Sequence, residues 1–182
     1  MCVVFDVLID DDCGSNMGGT KLKLHYAAWN DILTFGTPIV SPLKPEDPFI
    51  ITTPHVFKTG KSFKTINITR NTGVNNITAG GNNSGAKVLN MVFRMPSKNM
   101  SALALFNAVA NSIYPLLVLV EDSNMPDGTY DQLGSNKYHA TMTAQKINGE
   151  NEGDGSMYEF TVTCTQPSRL LYTATVNLTA AV

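Results

Sequence analysis

Between residues 20 and 29 apolar and polar side chains alternate, with Leu22, Leu24 and Tyr26 on one side and Lys21, Lys23 and His25 on the other. That period of two predicts a half-buried strand and puts His25 on its polar face. Residues 63–70 alternate in the same way and predict a second strand, and residues 88–95 a third, closed by Pro96. The period then changes. Ser97 stands at an N-cap position, and Met100, Leu103, Phe106, Val109, Ala110 and Ile113 recur every three or four residues, which predicts a helix over 97–113. Residues 115–120 form a short continuous apolar run between turn signals, the pattern of a strand buried on both faces. A turn over 121–128, a short return strand over 129–133 and a second turn over 134–136 follow. Residues 138–147 and 157–165 then predict a long hairpin, joined by the acidic, glycine-rich loop 148–155. The weak alternation of 169–182 fits a last strand or an arm.

Two segments lack either period. Residues 35–54 hold Pro38, Pro42, Pro45, Pro48 and Pro54, five of the nine prolines in the chain, and so lack donors for a sheet interior. They read as an extended arm or loop draped over another surface. Residues 71–86, rich in Asn and Gly with little to bury, read as a long flexible loop. Together these elements predict a mainly β fold, a β-sandwich or partial barrel with one flanking α-helix, in a single domain spanning 1–182.

Composition narrows the class. A chain of 182 residues with 43% hydrophobic content buries a core large enough to stand without metal or disulfide. Its 15% of charged residues is well below the roughly 25% of average domains, which favours association with other protein surfaces. A balance of 13 basic to 15 acidic residues, net -2, lacks the excess with which nucleic-acid-binding proteins grip phosphates. Cys2, Cys13 and Cys164 are odd in number and without metal-ligand spacing, so reduced thiols in a cytoplasm are expected. The N-terminal apolar stretch has no basic lead and is interrupted by Asp6, unlike a signal peptide, and no run is long enough for a transmembrane helix, so no membrane partner is expected. Asn67-Ile-Thr69, Asn76-Ile-Thr78, Asn82-Asn-Ser84 and Asn177-Leu-Thr179 match the glycosylation pattern only as by-products of an Asn- and Thr-rich chain.

Three stretches approach known chemistry and miss it. Gly80-Gly-Asn-Asn-Ser-Gly85 has P-loop glycine spacing, but Ala86 occupies the lysine position and a strand follows instead of a helix. Asp122-Ser-Asn-Met-Pro-Asp-Gly128 begins like a calcium loop, yet Pro126 replaces an oxygen donor and Leu133 the closing carboxylate, so it reads as a hairpin turn. Asp10-Asp-Asp-Cys13 gathers acids that, being consecutive, cannot all converge on one ion. His25, His55 and His139 are isolated, with His25 and His139 on polar strand faces. No catalytic, cofactor-binding or metal-ligating residue is assigned, no cofactor is expected, and an enzyme is not predicted.

Two parts of the chain resemble tail tube and related tail proteins of bacteriophages, especially those of phages of Bacteroidetes hosts. One is Cys13-Gly-Ser-Asn-Met-Gly-Gly19 leading into Lys21-Leu-Lys-Leu-His-Tyr-Ala-Ala-Trp29 and Asn30-Asp31. The other is Leu116-Leu-Val-Leu-Val-Glu-Asp-Ser-Asn124, with Tyr130-Asp-Gln-Leu-Gly134 and Tyr158-Glu-Phe-Thr-Val-Thr-Cys-Thr-Gln-Pro-Ser168. The resemblance implies a virion structural protein of the tail, made in the host cytoplasm, whose copies form hexameric rings that stack into a tube. Its inner strands would line a channel through which DNA passes without specific binding, with the helix outside and other tail proteins as further partners. The segments 35–54 and 71–86 depart from that pattern, which leaves open a neighbouring ring or adaptor role. The alternative is a β-sandwich carbohydrate-binding or adhesion module, although Trp29 is the single Trp and sugar-binding faces carry several aromatics. A hydrolase built from dispersed residues has the least support.

Overall fold

The computed structural model describes residues 20–39, 43–69, 72–80, 85–110, 114–123, 125–148 and 155–180. In chain order the elements are β1 (Thr20–Ala28), β2 (Ile32–Thr34), β3 (Ile50–Ile51), β4 (Val56–Phe57), β5 (Lys64–Asn67), β6 (Val74–Ala79) and β7 (Lys87–Pro96), then α1 (Met100–Ala110). They continue with β8 (Leu116–Asp122), β9 (Tyr130–Leu133), β10 (Thr141–Ile147), β11 (Met157–Gln166) and β12 (Leu170–Tyr172).

The continuous apolar run became β8, and Leu116, Leu117, Val118, Leu119 and Val120 are all buried. Since successive side chains point to opposite faces, a strand buried at every position needs a layer on each side. β8 lies inside a six-stranded sheet of order β3-β12-β9-β8-β1-β5. Toward one face Leu116, Val118 and Val120 join Leu24, Tyr26 and Ile66, and pack on Leu89, Met91, Phe93 and Phe160 of a four-stranded sheet, β10-β11-β7-β6. Toward the other face Leu117 and Leu119 join Phe57, Phe63, Ile51 and Tyr172 beneath a cap formed by the β2-β4 pair and the chain after β12. The architecture is therefore two packed open sheets plus a cap. The sandwich expectation holds, and the sheets do not close into a barrel within one chain.

α1 sits against the four-stranded sheet through Ala102, Leu105 and Val109. Its cap is Asn99, not Ser97 as the sequence suggested. The Asn99 Oδ1 accepts the N–H groups of Ser101 and Ala102, at 2.8 and 3.1 Å, and so takes up two of the donors that a helix start leaves without partners. The expected helix end at Ile113 lies outside the described residues.

Two expectations are corrected. Within 71–86, residues Val74–Ala79 form β6, paired with β7 from Val74↔Val92 to Ala79↔Lys87. The Asn pair there has poor strand propensity, but a long partner strand supplies the ladder and Ile77 packs into the core, and tertiary pairing overrides propensity. The arm, 35–54, is woven into the domain. Ile50 and Ile51 pair in parallel with Leu171 and Tyr172, Pro38 bridges Ile51, and the Asp47 carboxylate accepts the N–H groups of Leu43 and Lys44. Gly36 is required by crowding: a Cβ there would lie 2.2 Å from the Thr53 carbonyl oxygen.

Because β8 has no solvent side, Leu119→Ala is expected to cost about 2–5 kcal/mol. Leu33→Ala, at a residue 65% exposed, is expected to change stability by no more than about 0.5 kcal/mol. Urea unfolding of the two variants measures the difference.

Candidate functional site

β7 and β11 spend alternate side chains on the core, Leu89, Met91, Phe93 and Met95 from one and Tyr158, Phe160, Val162 and Cys164 from the other. Their remaining side chains form the outer face of the four-stranded sheet. Strand register fixes what this face displays: Thr141, Thr163, Asn90 and Asn76 in one cross-strand row, and Thr143, Thr161, Val92 and Val74 in the next. Thr165, Val88 and Thr78 make a third row toward one end. Toward the other end stand Gln145, Glu159 and Arg94. Arg94 Nε donates to Glu159 at 2.9 Å and Gln145 Nε2 at 2.6 Å, so the two charges cancel. The Arg94 hydrogen bond holds the Glu159 carboxyl below its ordinary range. The face is thus polar and carries no net charge along its rows. It is too hydrophilic for a further core layer and too poorly charged for an ordinary solvent face.

Among the described residues neither margin of this sheet has a further strand along it, although α1 packs beside β10 and Ala140, just ahead of β10, bridges Leu116. Among the described residues β6 pairs only with β7, and β10 pairs as a strand only with β11. Exposed edges of soluble proteins are usually blunted by charge or proline. β6 has neither, and β10 has only Lys146. All three pairings in the sheet are antiparallel, so β6 and β10 run in opposite directions at its two margins.

Beneath the cap the structure joins residues distant in sequence. His55 is fully buried, stacks on Tyr172 with centroids 4.9 Å apart, and has Phe35 and Phe63 edge-on. Its Nδ1 accepts the Gly36 N–H at 3.0 Å, which leaves Nε2 to donate to Gln132 Oε1 at 3.0 Å. Gln132 in turn donates to the Gly134 carbonyl, and Gln166 Oε1 accepts the Gly134 N–H while its Nε2 donates to the carbonyls of Gln132 and Ser168. Burial lowers the His55 pKa to about 4 against the opposing Gln132 hydrogen bond, so the imidazole is neutral. Burial likewise pushes the Cys164 thiol up to about 11, which makes it an inert core group. Between the two sheets Arg169 makes a two-point ion pair with the buried Asp131, whose second oxygen also accepts from Asn75 Nδ2. This ties β9 to β6 and, through Asp131, keeps the Arg169 guanidinium protonated.

The isolated histidines therefore have three different environments. His139 is exposed, as expected of a polar face. His25 is not: it is buried, with its ring edge-on to Tyr130 and Nδ1 3.0 Å from Thr65 Oγ1, because the face that the alternation marked as polar is the one it shares with Leu119 of the second core cluster. Trp29 is fixed by an indole hydrogen bond to the Ser135 carbonyl and by contact with Phe35. Of the Asp122–Gly128 stretch, Asp122 ends β8 and residues 125–128 lie in the β8–β9 connection, closed by Gly128 at a φ of 81°. Gly80 and Ala86 close the β6–β7 hairpin, with β7 following as a strand, while residues 81–84 of the near P-loop lie outside the described residues. So do Cys2, Cys13, the Asp10–Asp12 cluster and most of the 148–155 loop. Compared with models of known families, with characterised proteins and with solved structures, the chain shows no match.

His55 gives folding a signed dependence on pH. Between its ordinary pKa of 6.5 and its folded value of about 4, the unfolded chain binds a proton that the folded chain excludes. Stability is then full above about pH 6.5 and falls as the pH drops toward about 4, by about 3 kcal/mol in all. Urea titrations across that range are expected to show the slope in the native chain and its loss in His55→Gln. An unchanged slope in the variant would assign the proton to another group.

Proposed function

We propose that the chain is a virion structural subunit that assembles into rings stacked as a bacteriophage tail tube, working by assembly rather than by chemistry. The observation that carries this reading is the four-stranded sheet with two oppositely directed margins, strand-unpaired among the described residues, and an outer face without net charge. Because its number of strands is even, rotating one copy onto the next sets β6 of one against β10 of the other in antiparallel sense. Six copies, the ring order implied by the resemblance, would close a barrel of about 24 strands. With strands about 4.8 Å apart and tilted roughly 40°, its backbone diameter is roughly 48 Å, which leaves a lumen wide enough for a duplex after side chains are subtracted.

In that barrel the outer face becomes the channel wall. Rows of Thr, Asn and Val offer few charge-neutralising partners to phosphates, so DNA would pass without being held. The six-stranded sheet, the cap and α1 would lie outside the wall and give each wall segment a core of its own. The same ring chemistry serves a tube subunit or a neighbouring ring or adaptor of the tail. The glycan-binding alternative gains little support: Phe49 and Tyr138 are the exposed aromatics among the described residues, and they share no sheet face.

Electron microscopy of the purified protein is expected to show rings or tubes. Asn76→Lys with Thr143→Lys sets like charges on the two margins, and folded monomers are expected. Asn76→Glu with Thr143→Lys sets opposite charges there and is expected to restore rings, with loss of assembly on raising salt. A folded native chain that stays monomeric at high concentration, or rings indifferent to both pairs, would overturn the reading, and a glycan-binding monomer would favour the alternative.

A further inference from the structure

The outer face is neutral along its rows but not at one end. Where β10 begins beside the end of β11, Lys137, Tyr138, His139, Thr141, Thr163 and Thr165 line a shallow cleft of about 330 Å³. The charged and titratable groups of this lining are the Lys137 ammonium, the His139 imidazole and the Tyr138 phenol, and no carboxylate is among them. Lys137 has no ion-pair partner among the described residues. Hydroxyls of Thr163 and Thr165 project from one strand beside it, two residues apart on the same face.

The support for Lys137 is rigid. Ser135 N–H donates to the Tyr138 carbonyl at 2.6 Å, and Ser135 Oγ accepts the N–H groups of Lys137 and Tyr138. The Ser135 carbonyl is held by the Trp29 indole at 2.7 Å, and Gly134 enters the turn at a φ of 112°. A cation on a fixed turn loses less freedom on binding than one on a loose loop. Ammonium, imidazole N–H and hydroxyl donors around a small cleft match an acceptor-only ligand with several oxygens, which is a phosphate group.

We infer that this cleft is a phosphate-contact site, and that its ligand is the phosphodiester backbone of DNA crossing the outer face. The choice of DNA rests on the tube reading, in which the face lines the channel. Each subunit would then contribute one contact, and the ring would carry a collar of cations at a single level of an otherwise neutral wall. Such a collar centres a duplex without reading its sequence, because phosphate contacts carry no base information. A repeated weak contact gains strength from its multiplicity.

The test titrates the full chain, unassembled and assembled, with a labelled short DNA duplex at increasing salt, and follows inorganic phosphate separately by NMR. Phosphate is expected to shift the signals of His139 and Thr163, and the duplex is expected to bind at low salt and release as salt rises. Lys137→Glu is expected to weaken duplex binding about tenfold or more and to flatten the salt dependence, and Thr165→Val to weaken it less, with rings of both variants still visible by microscopy. Duplex binding equal to the native chain in Lys137→Glu overturns the site. Phosphate binding without any duplex binding overturns DNA as the ligand. The two readings fail separately: a monomer with Lys137-dependent phosphate shifts keeps the cleft and sinks the ring, and rings whose duplex binding is indifferent to Lys137→Glu do the reverse.

Discussion

Leu117 and Leu119 point away from Val118 and Val120, and all four are buried. That two-sided demand of β8 organises the rest of the molecule. One sheet on one side would leave two large leucines in water, at about 1.5–3 kcal/mol for each side chain left exposed. The chain therefore supplies a second layer from the β2-β4 pair and the residues that follow β12, and it does so with segments too short to form a sheet alone. The cap is held by specific polar links. The Asn177 amide donates to the His55 carbonyl, Phe63 N–H donates to the Asn177 carbonyl, and Tyr172 OH donates to the Thr175 carbonyl. Removing water from the second face of β8 is what makes such links necessary for the groups the cap covers, such as the buried Tyr172 and His55, since an unmet polar group there would cost more than its hydrogen bond contributes.

How much of this was legible follows from where each residue's environment is set. The run 115–120 and the hairpin of β10 with β11 were readable because burial and period sit in the same few residues. β6 was not readable, since Val74-Asn75-Asn76-Ile77 carries only one core side chain and its ladder is provided by β7. His25 obeyed its strand's alternation and still misled, because that alternation records which face is less apolar and not what later covers it. His55 gave no signal at all. Its partners Gly36, Gln132 and Tyr172 come from three separate parts of the chain, and only the fold brings them together. The neutral outer face was legible as a shortage of charge, and its position on one sheet was not.

The arm changes meaning in the same light. A proline-rich segment was expected to drape over another surface, yet the order of its described residues is internal: Ile39 N–H donates to the Ile50 carbonyl and Thr173 N–H to the Ile51 carbonyl. What remains for a neighbour is narrower than a whole arm. Leu43, 96% exposed, is set on a turn whose first N–H groups are held by Asp47.

Charge placement gives the outer sheet face a direction. Arg94 and Glu159 neutralise each other at one end, while Lys137 and His139 stand without a carboxylate in their cleft at the other. A surface meant only to be wet has no reason to keep its middle rows uncharged and its uncompensated ammonium at one end, because scattered charges of both signs would serve solubility better. A surface that a long polyanion must cross has such a reason. Attraction spread along the whole path would hold the polymer, and attraction confined to one level guides it while leaving the rest of the path free.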